Sequence, residues 1–101
     1  MVHDIKLDIS FCDPVYNNIK TFEIRRNDRN YQVGDYIRFK PVGLLFQEVD
    51  HPIKYNLYEI TYILSGWGLQ EGFCALAIKQ ISKEEAQRKD LQKQINENII
   101  N

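Results

Sequence analysis

Two stretches of this chain, residues 57–64 and 73–78, are almost continuously apolar or aromatic. Between them runs Ser65-Gly66-Trp67-Gly68-Leu69-Gln70-Glu71-Gly72, a loop with three glycines and an aromatic tip. Runs this short and this rich in Ile, Leu, Tyr and Phe read as strands covered on both faces, as in a closed barrel or beneath a helix. The rest of the chain must supply that cover.

Three further strands can be read upstream. Residues 3–9 alternate, with Ile5, Leu7 and Ile9 opposite Asp4, Lys6 and Asp8. In residues 21–26, Phe22 and Ile24 fall on one side and Thr21, Glu23 and Arg25 on the other, so Phe22 and Ile24 are expected in the core with Leu76 and Ile78. Residues 36–42 place Tyr36, Arg38 and Lys40 opposite Ile37 and Phe39. Ser10 or Asp13 can cap a short helix over residues 11–18, with Pro14 in its first turn and Asn17 and Asn18 suited to a left-handed end. Residues 43–56, with Gly43 and Pro52, read as a loop or ragged hairpin.

At the other end, Ser82-Lys83-Glu84-Glu85 is a capping box, and Ile81 can staple onto Ala86. The helix that follows has only a thin apolar stripe of Leu91, Ile95 and Ile99, suited to a barrel edge or to a second copy of the chain. Five to six short, mostly antiparallel strands with one N-terminal helix predict an α+β barrel over residues 1–81, the helix plugging one opening, and a helical extension over 82–101. A length of 101 residues fits one domain, and an apolar fraction of 44% fits an ordinary buried core. Cys12 and Cys74 form no CxxC pair; Cys74, inside an apolar run, is expected as a reduced, buried thiol.

No apolar stretch approaches the roughly 18 residues that span a bilayer. The opening MVHDIKLDIS carries charges where a signal peptide needs an apolar region, so the expected compartment is the cytoplasm and no membrane is expected as a partner. His3 and His51 lack neighbouring ligands at metal-binding spacing, no phosphate-loop, dinucleotide or nucleophile-elbow pattern occurs, and no cofactor is expected. Cys12 has no histidine in view to activate it.

Charge is more telling in its distribution than in its sum. The net charge is −1, yet residues 20–40 hold six basic and three acidic side chains. A local basic face on a near-neutral chain suits a modest anionic ligand better than a long duplex. Within it, strand alternation puts Glu23 and Arg25 on one face, about 6.6 Å apart at roughly 3.3 Å per residue, and Lys20 enters beside them. Such cations could hold a phosphate or a carbonyl oxygen. On an outer sheet face the same residues would be a plain charge ladder. Asn27-Asp28-Arg29 could project at the mouth of such a site or simply make a turn. Trp67, and less so Tyr31, could stack on a base, whereas Tyr62 is expected in the core.

Lys20, Glu23 and Arg25 match the G-x-K-x-x-E-x-R signature of the ASCH superfamily, with Asn18 at the glycine position. The run KTFEIRRNDRNYQVGDYI, then ITYIL and GFCALAI, resembles a small bacterial and phage branch of that superfamily over about residues 3–79. The resemblance implies a PUA-like barrel with the signature in a cleft between helix and barrel. It also implies an RNA or modified-nucleoside ligand held by Lys20, Glu23 and Arg25, to which the residues themselves add Asn27, Asp28, Arg29 and Trp67 as candidate contacts. Some relatives hydrolyse acetylated cytidine and others are described as nucleases. Lys20 falls where the amidohydrolase branch has its catalytic lysine, but Glu23 stands at the position of its threonine nucleophile. Lys20 and Glu23 are therefore the candidates for proton transfer in a small hydrolase, and the leading expectation is an RNA- or nucleotide-binding module. A homodimer formed through the C-terminal helix is the third.

Overall fold

The computed structural model describes the backbone of residues 1–100 and the side chains of residues 1–90 and of Gln92. Five strands, β1 (Val2–Asp8), β2 (Phe22–Arg26), β3 (Tyr36–Val42), β4 (Leu57–Ser65) and β5 (Phe73–Ile81), form one sheet in the order β1-β3-β4-β5-β2. β1 runs parallel to β3, and the other three pairings are antiparallel. The helices are α1 (Ile9–Tyr16) and α2 (Lys83–Ile100), with a 3-10 turn at Pro52–Tyr55. Among the described residues no helix is long and apolar enough to cross a membrane.

The α+β class and the mixed sheet match the sequence reading, but the barrel does not close. β1 and β2 are the two edges and do not pair with each other. Side chains bridge the seam instead: Arg25 donates through Nη2 to the Lys6 carbonyl, and Arg29 through Nη1 to the Asp4 carbonyl at 2.8 Å. Residues 4 and 6 lie two apart, so their carbonyls point to the same side of β1.

The core gathers Ile5 and Leu7 of β1, Ile37 and Phe39 of β3, Tyr58 and Ile60 of β4, and Cys74, Leu76 and Ile78 of β5. α1 covers it with Cys12 and Val15. This helix starts two residues earlier than its expected range because Asp8, not Ser10 or Asp13, is the cap; its carboxylate accepts from the Ser10 amide at 2.8 Å. Rather than plugging a barrel mouth, α1 packs on β1, β3 and the 3-10 turn. Its link to that turn is polar: His51 Nδ1 accepts from the Ile53 amide at 3.0 Å, so Nε2 carries the proton donated to Asp13 at 2.7 Å.

Two expectations about faces are overturned. In β2 the apolar residues lie outside, Phe22 at 47% and Ile24 at 52% exposure, while Glu23 is 4% exposed. The cause is register: Glu23 stands opposite Leu76 and Arg25 opposite Cys74, both fully buried, and directly paired residues share a face. In β4 the register shifts between Ile60 and Tyr62, a bulge that reverses the alternation. Tyr62 would follow Tyr58 and Ile60 inward; instead it is largely exposed and Ile63 packs on the core. Nor is β4 covered on both faces as expected, since Thr61 and Tyr62 are exposed.

Ser82 caps α2 as expected, accepting the Glu85 amide at 3.0 Å. Ile81 and Ala86 pack together with Tyr36 and Leu57 in a second small cluster, and Lys89 reaches Glu59 of β4 at 2.5 Å. The stripe of Leu91, Ile95 and Ile99, and with it the homodimer, lies outside the described side chains.

Candidate functional site

The chain brings Lys20, Glu23 and Arg25 together. The Pro14 carbonyl takes the amides of both Ile19 and Lys20, at 2.9 and 3.0 Å, and so fixes the end of α1 against the start of β2. Asn18 makes the turn at φ 59°, the left-handed conformation expected at this position. Lys20 then reaches back with Nζ to the Phe22 carbonyl at 2.8 Å and to Glu23 Oε1. Its ammonium also sits over the rings of Phe11 and Phe22, 5.2 and 4.9 Å from their centroids. Arg25 Nε lies 3.3 Å from Glu23 Oε2, buried and without a hydrogen-bond partner among the described residues. Glu23 is thus a buried carboxylate between two cations, on the inner face of the edge strand.

Around Arg25 the seam opens into a cleft of about 440 Å³. Its walls carry five cations, Lys6, Arg25, Arg26, Arg29 and Lys40, against two carboxylates, Asp4 and Asp28. One of the two, Asp4, is matched by a cation outside the cleft. The Arg38 guanidinium, at 2.7 and 3.3 Å, holds the Asp4 carboxyl below its usual range and is itself neutralised there. By contrast, Lys6 faces Lys40 directly across the β1–β3 ladder, and neither side chain makes a hydrogen bond or close ion pair among the described residues, although the Lys40 charge also acts on Asp4. Like charges in register repel, so an anion between them would be stabilising. Arg26 borders the cleft with its guanidinium over the Phe73 ring, 5.0 Å from the centroid. Tyr31 closes the back, packed edge-on against His3 at 4.8 Å, and burial pushes its phenol up, keeping the hydroxyl a donor.

Of the residues singled out in the sequence, Arg25, Asp28, Arg29 and Tyr31 line this cleft. Lys20 and Glu23 stand beside it, joined to it through Arg25. Asn27 does not line it; its amide is tied to the Gly72 carbonyl at 2.8 Å. Trp67 stands 90% exposed at the tip of the β4–β5 hairpin and does not line this cleft. Sequence reasoning missed Lys6 and Lys40 as a pair. The signal was present, since both sit on outward phases of alternating strands, but only the parallel register of β1 with β3 makes them neighbours.

Elsewhere, the thiols are free and buried. Burial, then the nearby carboxylates of Asp13, Asp8 and Glu23, push Cys12 up to about 11, which makes it a poor nucleophile. Behind the cleft, His3 Nε2 and Asp35 Oδ2 form a buried pair at 2.8 Å.

The chain belongs to the family described as Domain of unknown function (DUF3850), whose match covers residues 2–78, from the first strand through most of β5. No curated protein matches it.

Proposed function

We propose that this member of the DUF3850 family is an RNA- or nucleotide-binding module whose ligand phosphate lies in the seam between β1 and β2. The observation that carries the reading is the unpaired Lys6–Lys40 couple, facing Arg25, Arg26 and Arg29 across one cleft. Two adjacent ammonium groups cost stability and gain it back when an anion enters, and guanidinium groups opposite offer forked donors to phosphate oxygens. A cleft of about 440 Å³ suits a nucleotide-sized ligand. The ASCH-like signature of Lys20, Glu23 and Arg25 supports the same ligand class. Two buried free thiols suit a reducing cytoplasm.

Lys40→Ala is the direct test, read by titrating uridine 5′-monophosphate and a fluorescent hexauridylate at several salt concentrations. The variant should keep or slightly raise the urea midpoint, because it removes a repulsion. Affinity should fall roughly five- to tenfold, and the slope of log affinity against log salt should become shallower by about 0.7 for the single strand. Unchanged affinity and slope would reject the reading.

A second reading rests on Glu23, a buried carboxylate in contact with the Lys20 ammonium, which is the arrangement of a proton-transfer pair. In that case the protein hydrolyses a modified nucleoside or RNA. Glu23→Gln keeps the shape and removes the charge. Loss of turnover on acetylated cytidine or RNA with binding retained would select the hydrolase; no turnover by the wild-type protein rules it out for those substrates.

A further inference from the structure

Beyond the bridge that Arg25 makes to Lys6, the seam opens again into a second compartment of about 280 Å³. Lys6 and Arg25 belong to both compartments, but the rest of the second is mainly apolar, with Leu7, Phe11, Ile24, Val42 and Phe46 beside the carboxylates of Asp8 and the buried Glu23. Phe46 belongs to a turn that is built rather than loose. Gly43 donates to the Gln47 carbonyl at 2.9 Å, Phe46 to the Gly43 carbonyl at 3.0 Å, and Leu45 to the Gln47 side chain at 3.0 Å. The Gln47 side-chain amide packs directly over Gly43, within 2.4 Å of where a Cβ would stand. The result holds Phe46 at φ 61°, a strained conformation for a phenylalanine, with the ring 74% exposed. Strain and an exposed aromatic ring coincide at the wall of a compartment whose other wall carries Phe11.

We propose that the seam takes a single strand across two nucleotides: a phosphate in the basic cleft and the base of the neighbouring nucleotide stacked on Phe46 and Phe11. This rests on the nucleotide reading above and adds a second subsite to it. Arg25 stands at the junction, where the backbone linking the two nucleotides would pass. Stacking on phenylalanine suits any base, because every base has a π face. An anionic bilayer is the poorer occupant of this turn, since Glu48 and Asp50 follow it directly.

The test compares uridine 5′-monophosphate with the dinucleotide pUpU at fixed ionic strength, on the wild-type chain and on Phe46→Ala. Because the ring is exposed, the variant should unfold at the wild-type urea midpoint, which is measured alongside. The wild-type protein should bind pUpU about tenfold or more tightly than the mononucleotide, and Phe46→Ala should remove most of that step while leaving mononucleotide affinity unchanged. A step that survives in Phe46→Ala comes from charge alone and overturns the proposal. So does equal binding of both ligands, with the mononucleotide reading left standing. If neither ligand binds, the reading of the basic cleft fails and the second subsite with it. If Phe46→Ala changes only self-association in sedimentation, the turn is a protein contact and the proposal is wrong.

Discussion

Arg25 does two jobs that a mutation cannot separate. It lines the basic cleft, and it also closes the seam to the Lys6 carbonyl and lies against Glu23. Arg25→Ala should therefore weaken ligand binding and also destabilise the fold by roughly 1.5–3 kcal/mol, the contribution of hydrogen bonds to charged groups, since Glu23 would remain buried with Lys20 alone. Urea denaturation of the free variant measures this; a wild-type midpoint would show that the seam does not depend on the arginine. Asp35 sets a different dependence. Burial raises its carboxyl, but hydrogen bonds from His3 and the Gln32 amide, with the N-terminal ammonium nearby, leave it net below its usual value of 3.8. A depressed carboxyl stabilises the fold above its unfolded pKa and loses that contribution as pH falls through the folded one. Stability should thus decline steeply below about pH 4, and Asp35→Asn should flatten that decline while lowering the midpoint at pH 7. Parallel curves for the two proteins over pH 2–5 would contradict the assignment.

At the scale of elements, β2 and β5 make opposite predictions for apolar residues that look alike in the sequence. Leu76 is fully buried opposite Glu23, so Leu76→Ala should cost about 2–5 kcal/mol. Ile24 is about half exposed on the far face, so Ile24→Thr should shift stability by no more than about 1 kcal/mol. Equal losses in urea titrations would mean that β2 is turned the other way. The sequence itself could not make this distinction. Period-two alternation sorts Phe22, Glu23, Ile24 and Arg25 into two sets, and hydropathy then votes for the apolar set as the inner one. The vote is overruled by pairing with β5 and by the mutual neutralisation of Lys20, Glu23 and Arg25. Strand β3 was legible to its ends, because Ile37 and Phe39 alternate with Arg38 and Lys40 between the turn at Val33-Gly34 and Gly43. Tyr62 was misplaced because a bulge at Thr61 leaves no mark in hydropathy. Lys20, Glu23 and Arg25 could be grouped because they are near neighbours in sequence; Lys6, Lys40, Phe11 and Phe46 could not, because strand pairing and the seam bring them together.

For the molecule as a whole, the two thiols report how the parts open. Cys74 sits in β5, which is paired on both sides, whereas Cys12 sits in a helix of eight residues laid against the sheet. Elements with fewer partners open at lower free energy. With iodoacetamide at pH 8 and mass spectrometry of the peptides, Cys12 should be labelled before Cys74, and both far more slowly than in urea. Equal rates would indicate that α1 opens only when everything does. The arginine stays across the seam bear on solubility as well. A free sheet edge is a template on which another chain can add a strand, and β1 and β2 are two such edges in one small domain. By occupying the Asp4 and Lys6 carbonyls, Arg29 and Arg25 take up the acceptors that an incoming strand would need, and their charge repels a second copy of the same basic edge. The side chains that bridge the seam thereby guard its exposed edge against strand addition.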